Sequence, residues 1–448
     1  DGGNFPVIAI ENEFGGVNAT LEANGTIVFD SRLKKYVMFG LAFSAPTGGE
    51  DRVRLYRFTS PDAMNWTKGA DGKPERIPFD LLDARSGRRA SNIDLFSCCF
   101  DERDAAYPYK GWLHFANWGD LEGIYFVRSK DGKIWERGQM VMRSMSREIS
   151  QDGRKLGGPG DVTIFSHDKT SGQFLAAIKF SSLQPVGPNN LLRSRAFAFV
   201  KQLDEPFDLN RIERVELLPA AAETNGDLPH DEYYASTAWR YESLWLGGLK
   251  VWHGGGDYPY SAAGSAFLKF AVSRDGLHWK KVLFTNDAGV AEVFIPNGTE
   301  GGNGARNDGG YITEFSQGPL RIGDELIYYY GCSSYGKNQR HNLRVGGGGI
   351  FRARLRPDGF VSVDSGTLTI KPLRFAGKNL FVNGLGKITV SLLDEKGKVM
   401  GTSEVKGDSL QHKILFDGKS LEKKARKIAL RLRFTIGEGG RLYSFQTQ

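Results

Sequence analysis

Apolar and polar residues alternate along most of this chain in short runs, the period expected when successive side chains point to opposite faces of a strand. Turn residues bound the runs, so pairs of them read as hairpins. Residues 26–29 turn at Asp30 and return over 35–39, and 95–100 turn through 101–109 and return over 111–115. Residues 162–165 and 173–177 flank a turn at 167–172. The pairs 236–241 with 244–252, and 318–322 with 325–330, complete the series. The stretches 138–160, 183–192, 253–264 and 293–311 lack this period. They are expected to be long loops, which in compact domains are usually functional or disordered.

One turn recurs. Ser273-Arg274-Asp275-Gly276-Leu277-His278-Trp279 matches Ser129-Lys130-Asp131-Gly132-Lys133-Ile134-Trp135, and Ser60-Pro61-Asp62-Ala63-Met64-Asn65-Trp66 is a looser copy. Asp-Gly suits a tight turn because glycine takes positive φ without steric cost. The Trp is placed to fold back over its hairpin. Asp62 to Asp131 is 69 residues, and Asp131 to Asp275 is 144, two steps of 72. Leu203-Asp204-Glu205-Pro206 occupies the skipped position, and Asp358-Gly359 follows 83 residues after Asp275. Five units of about seventy residues result, and a period of this kind, filled with short strands, favours a β-propeller.

The pattern changes after Gly366. Short strands follow at 368–370, 380–382, 388–393, 412–416, 429–434 and 442–445, with a hairpin turn at 394–398 and no further Trp turn. The expected fold is all-β: a five-bladed β-propeller over residues 1–366, then a β-sandwich over 367–448. The sandwich is expected to act as a brace.

Composition refines this picture. The 57 glycines and 12% aromatic content suit an all-β protein with many turns. The net charge of +7 is spread, apart from Lys423, Lys424, Arg426 and Lys427. No nucleic-acid-binding module accompanies it, so no nucleic-acid partner is expected, and an acidic or sulfated polysaccharide fits its sign better. No apolar run approaches the roughly twenty residues of a membrane helix. The opening residues, Asp1-Gly2-Gly3-Asn4-Phe5, do not read as a signal peptide. Export to the periplasm or exterior of a bacterial cell is expected, and whether a signal was cleaved stays open. Cys98, Cys99 and Cys332 form neither a disulfide framework nor a metal pattern, and adjacent Cys98 and Cys99 should point to opposite faces.

Candidate chemistry lies where innermost strands start, since those starts converge on a propeller axis. Asp94 precedes Asp101 by seven residues, Asp161 precedes Asp168 by seven, and Glu22 precedes Asp30 by eight. Three consecutive units therefore carry a carboxylate at a similar place. Convergent carboxylates suit glycoside hydrolysis, in which one protonates the leaving oxygen and another attacks or activates water. Asp231, Asp308 and Glu314 are further candidates for contacting substrate, with Tyr233, His253 and Arg306 beside them. Trp112, Trp118 and Trp239 read as blade packing before they read as sugar platforms. No cofactor is required by this chemistry. A structural divalent cation such as Ca²⁺ on the axis stays open, though no dense loop of oxygen ligands announces one.

From the Ser-x-Asp-Gly-x-x-Trp turns and inner hairpins, residues 15–366 resemble the five-bladed β-propeller glycoside hydrolases of families 32, 43, 68 and 117. The tail, with Leu430-Arg431-Leu432-Arg433-Phe434 and Leu442-Tyr443-Ser444-Phe445, resembles the β-sandwich of family 32-like proteins. The resemblance implies one acidic residue in each of the first three blades, which Glu22, Asp94 and Asp161 match. The chain lacks the Asn-Asp-Pro-Asn-Gly, Arg-Asp-Pro and Glu-Cys signatures of the fructan-cleaving members. A Glu in the first unit with an Asp in the third also reverses their usual order. The expected activity is exo-acting hydrolysis of a plant or algal polysaccharide oligomer. A non-catalytic carbohydrate-binding propeller is the alternative. Sugar, linkage and oligomeric state are left open.

Overall fold

A computed structural model describes residues 7–9, 20–22, 27–43, 53–69, 75–79, 92–116, 118–184, 191–220, 226–254, 264–285, 291–299, 308–334, 348–421 and 428–448. Its helical content among these is two short 3₁₀ turns, Gly119–Leu121 and Leu209–Arg211. No helix among the described residues is long and apolar enough to cross a membrane. The chain divides into two compact units. One comprises Asp1–Leu320 with Tyr328–Ala353, the other Arg321–Ile327 with Arg354–Gln448.

The first unit is built of antiparallel sheets that fit the blades of a propeller. In the first sheet, Thr20–Glu22 and Ile27–Asp30 both pair with Lys35–Phe43, followed by Val53–Ser60 and Glu75–Ile77. The second runs Asn92–Phe100, Tyr109–Ala116, Gly123–Ser129, Trp135–Arg143. The third runs Ile164–Asp168, Gln173–Ser182, Ser194–Val200, and its outer edge shrinks to one bridge, Arg195 to Leu217. The fourth runs Asp231–Tyr241, Leu244–Gly254, Gly264–Ser273, Trp279–Val282. The fifth runs Tyr311–Phe315, Glu325–Ser333, Gly349–Leu355, and the N-terminal strand Ile8–Ala9 completes it. A single parallel pair, Ala266 with Tyr311, links the fourth and fifth.

Each sheet is apolar on both faces, so its neighbours must cover it. Phe39, Leu41 and Leu55 of the first sheet share a cluster with Phe96, Leu113 and Val127 of the second. Trp112 and Phe126 of the second meet Phe165 and Ile178 of the third in another. Ile164 and Leu175 of the third meet Ala235 and Leu249 of the fourth. Cys98 and Cys99 fall in different clusters, one on either face of their strand, as the alternation predicts. Both thiols are buried and free. Trp112, Trp118 and Trp239 are buried in packing.

The recurrent turn works as a clamp. Asp131 Oδ1 accepts the backbone N–H groups of Lys133 and Ile134 at 2.8 and 3.0 Å, while Ser129 Oγ accepts that of Gly132 at 2.9 Å. Asp275 and Ser273 repeat these bonds. Gly132 and Gly276 take φ of 72° and 80°, the left-handed region that glycine tolerates. The Trp that follows packs against its own sheet and also reaches the preceding one, as Trp135 does with Phe96 of its own sheet and Trp279 Nε1 does in donating to Gly276 O of its own turn. Trp135 lies edge-on to Phe39, Trp279 stacks on Phe197 at 4.8 Å, and Trp66 lies edge-on to Tyr329 of the fifth sheet.

Innermost strands are stitched together by polar groups. Ser97 Oγ accepts from Phe165 N, Ser166 Oγ accepts from Ala238 N, and Thr237 Oγ1 donates to Ser316 O. Tyr109 donates to Asp30 and Tyr329 to the Ala63 carbonyl. Gln317 Nε2 reaches from the fifth sheet to the carbonyls of Cys98 and Phe165, at 3.2 and 3.0 Å.

Two expectations are corrected. Residues 138–160 are not a long loop: Trp135–Arg143 continues as strand, and Arg147–Gln151 pairs with Arg154–Gly158. The turn between them is Asp152-Gly153, with φ of 52° and 72°, an Asp-Gly hairpin with no Trp to flag it. The fifth sheet starts earlier than expected, at Tyr311–Phe315, ahead of the hairpin read at 318–322 and 325–330.

The second unit holds two antiparallel sheets, Gly366–Thr369, Arg431–Ile436, Ile388–Leu393, Val399–Val405 and Ser409–Ile414, Leu380–Leu385, Arg441–Thr447. Leu380, Val382, Ile414 and Leu442 from one sheet share a cluster with Val390, Leu432 and Phe434 from the other.

Gln317→Leu should lower the stability of the first unit by about 2 kcal/mol, because two buried carbonyls lose their donor. Urea unfolding followed by tryptophan fluorescence reads this; an unchanged midpoint would show that the crossing bonds contribute nothing.

Candidate functional site

The inner hairpins supply a common frame. Asp30 Oδ1 accepts the N–H of Arg32, Asp101 Oδ1 that of Arg103, and Asp168 Oδ1 that of Thr170. These equivalent turns place Asp94 and Asp161 at the other end of their hairpins. Asp94 sits half-buried, across from His114 in the strand register. Asp161, one third exposed, precedes Ile164–Asp168 and accepts a hydrogen bond from Lys179 Nζ on the next strand. Glu22 ends the short strand Thr20–Glu22, and its side chain lies outside the described residues.

Asp161 belongs to a larger cluster that sequence reasoning did not assemble. Arg193, just ahead of Ser194–Val200, donates through Nη1 to Glu232 Oε2 at 2.5 Å, and its backbone N–H donates to the same oxygen at 3.2 Å. The second carboxylate oxygen of Glu232 is buried with no hydrogen-bond partner among the described residues. Arg193 lies over the rings of Tyr234 and Trp252. Lys250, fully buried, lies 4.5 and 4.4 Å from the ring centres of Tyr234 and Tyr311. Arg195 ties the third sheet to the fourth, donating to the carbonyls of Val162 and Tyr233.

Burial pulls Lys179 below the ordinary lysine value; Arg193 adds to this and Asp161 opposes it. Burial also pulls His114 down to about 4, with Asp161 opposing and Lys179 reinforcing. His114 is therefore neutral near pH 7, its Nε2 3.0 Å from Ser144 Oγ. The Tyr234 phenol is pushed well above the ordinary range by burial. Second, third, fourth and fifth sheets thus each contribute a side chain to one electrostatically connected group.

Other sequence candidates fall elsewhere. Asp231 and Tyr233 sit on the face of their strand opposite Glu232. Asp231 meets His253 Nδ1 at 2.9 Å, accepts the backbone N–H of Leu228, and has Lys269 at 3.5 Å. Tyr233 donates to Asp227, which also binds Lys269 and Lys281. This is a compact structural ion cluster, and Asp227 in it is held below the usual carboxylate range by these partners despite burial. Asp308 is buried and accepts from Tyr330 at 2.8 Å, with its Oδ1 unpartnered among the described residues. Glu314 lies in Tyr311–Phe315 with its side chain undescribed, and Arg306 lies outside the described residues.

Among the described residues no group of three or more His, Cys, Asp or Glu is arranged to hold a metal ion. A cavity of about 270 Å³ opens at the far, hairpin end of the second and third sheets, lined by Asp101, Arg103, Tyr107, Lys110, Arg128 and Lys201. Its charges are largely paired with one another, as Lys110 with Asp101 and Asp104 shows.

No family model and no curated protein matches the chain. Solved structures do. A complex of BT0996 with RGII is 12% identical at a TM-score of 0.48, covering 79% of this chain and 92% of that one. A structure showing that the GH130 family of mannoside phosphorylases contains glycoside hydrolases targeting β-1,2 mannosidic linkages in Candida mannan is 12% identical at 0.44, covering 80% and 93%. The Bombyx mori GH32 β-fructofuranosidase BmSUC1 is 9% identical at 0.46, covering 99% and 94%. With these TM-scores below 0.5, the likenesses carry no argument about this chain's activity.

Stability should depend on His114 between pH 6.5 and 4. Its folded value lies near 4, below the ordinary value of about 6.5. The unfolded chain therefore takes up the proton first as pH falls, and stability drops across that window, by roughly 3 kcal/mol in the limit. His114→Gln should flatten that part of the profile; an unchanged slope would contradict a buried neutral imidazole.

Proposed function

We propose that the protein hydrolyses glycosidic bonds of an oligosaccharide where the innermost strands start. The observation that carries this reading is the shared position of Asp94 and Asp161. Each enters its innermost strand seven residues ahead of an equivalent turn Asp, and the charge of Asp161 acts on His114, which lies opposite Asp94. Lys179 donates a hydrogen bond to Asp161, which fixes the carboxylate's position. Asp161 is therefore the carboxylate that stabilises the developing positive charge of the sugar or activates the attacking group. The proton for the leaving oxygen comes from a second carboxyl, that of Asp94 or, by its sequence position, that of Glu22. The sugar's glycosidic C–O bond breaks, the leaving oxygen takes that proton, and water supplies the new hydroxyl. Chain-end action on a plant or algal oligomer is part of the proposal. Secretion belongs to the same proposal, because such substrates lie outside the cell.

One observation favours a second reading, a sugar-binding propeller without hydrolysis. Asp161 and Glu232 are each already bonded to a cation, Lys179 and Arg193. A panel of neutral, uronic and sulfated oligosaccharides separates the two. The wild type should release a monosaccharide, and Asp94→Asn, Asp161→Asn and Glu22→Gln should each lose about a hundredfold or more in kcat. Full activity in the Asp94 and Asp161 variants would sink the assignment. Sugar binding by calorimetry with no turnover of any oligomer would establish the binding reading.

A further inference from the structure

Three cations surround one buried phenol ring. Lys179 Nζ, Arg193 Cζ and Lys250 Nζ lie 5.1, 4.7 and 4.5 Å from the centre of the Tyr234 ring. All four residues are buried. A ring face returns only part of the solvation that an ion gives up on burial, so such a cluster is a costly arrangement to keep without a use.

Arg193 has the geometry of a receptor. One edge of its guanidinium is fixed by Glu232, and Tyr234 and Trp252 hold its plane at 4.7 and 5.0 Å. A guanidinium carries five N–H donors. Among the described residues that of Arg193 makes no side-chain hydrogen bond beyond the one to Glu232. Its side chain keeps 9% of its exposure, and Asp161 beside it keeps 33%. Lys179 commits one of its three donors to Asp161. The remaining donors form a positive, pre-set fork next to the proposed reacting carboxylate. Forks of this kind bind planar or tetrahedral oxyanions in two places at once.

We propose that this mouth selects an acidic sugar, receiving the carboxylate of a uronic acid or a sulfate ester in the Arg193 fork with Lys179 alongside. The inference rests on the hydrolase reading and names its substrate class. The overall charge of +7 has the matching sign for attracting such an oligomer.

The test uses the wild-type chain and two oligosaccharides that differ in one group, a terminal uronic acid and the same sugar with its carboxyl reduced to the alcohol. A neutral oligomer and its sulfate ester form a second pair. The wild type should prefer the charged member of at least one pair by about a hundredfold or more in kcat/KM, because a site built for a polar group rejects the analogue lacking it. Which pair shows the preference identifies the oxyanion. Arg193→Met combined with Glu232→Gln removes both charges together, leaving no stranded carboxylate, and should bring the preference within about tenfold. Equal rates on charged and uncharged members in the wild type would overturn the inference and leave the hydrolase reading intact. Cleavage of the neutral oligomers only when inorganic phosphate is added would also overturn it, since the fork would then serve the attacking anion. If no oligomer is cleaved, the hydrolase reading fails, and calorimetry on the same pairs decides the inference. Tighter binding of a charged member supports it, and equal or absent binding overturns it.

Discussion

A sheet that is apolar on both faces must find a covering on each side. That constraint organises the first unit. Cys98 and its neighbour Cys99 illustrate it at single-residue scale, one side chain packing towards the first sheet and the other towards the third. The Trp of each recurrent turn serves the same need by crossing to the preceding sheet, and Trp66 does so between the first sheet and the fifth. Sheets covered in this way leave their innermost strands side by side. The backbone there is bonded through Ser97, Ser166 and Thr237 because water cannot reach it, and Gln317 spans three sheets for the same reason.

The chemistry follows from that geometry. When strands lie side by side, whatever precedes each of them is brought to a common place. Asp161 and the paired Arg193 and Glu232 come from sequence positions far apart, yet Asp161 and Arg193 both act on Lys179, and Glu232 holds Arg193. Their burial sets protonation states: His114 is kept neutral, and Lys179 is drawn below its ordinary value while still bonded to Asp161.

Much of this was legible in the residues. The turn period marked the sheets because the Ser-x-Asp-Gly-x-x-Trp bonds are local, and the short apolar runs bounded by turn residues marked the hairpins. What stayed hidden depended on registry between distant segments. In the Asp231-Glu232 pair, alternation along the strand turns the two side chains to opposite faces, so Asp231 meets His253 while Glu232 meets Arg193, a pairing that no local motif announces. Lys179 and Lys250 lie on second strands and Arg193 just ahead of a third, where a lone basic residue beside an apolar run carries no motif. Only packing shows that the three meet at Tyr234. The Asp152-Gly153 hairpin was missed for a simpler reason: its strands are short and their polar residues break the alternation.

The most direct test is hydrogen–deuterium exchange of the wild-type chain with and without an acidic oligosaccharide. The account predicts slower exchange in the segments around residues 158–163, 191–195 and 231–235, where the strand starts and the Arg193 fork lie. Protection confined to 101–107 and 201–204, at the cavity on the hairpin end, would place the sugar on the opposite side of the sheets and contradict it.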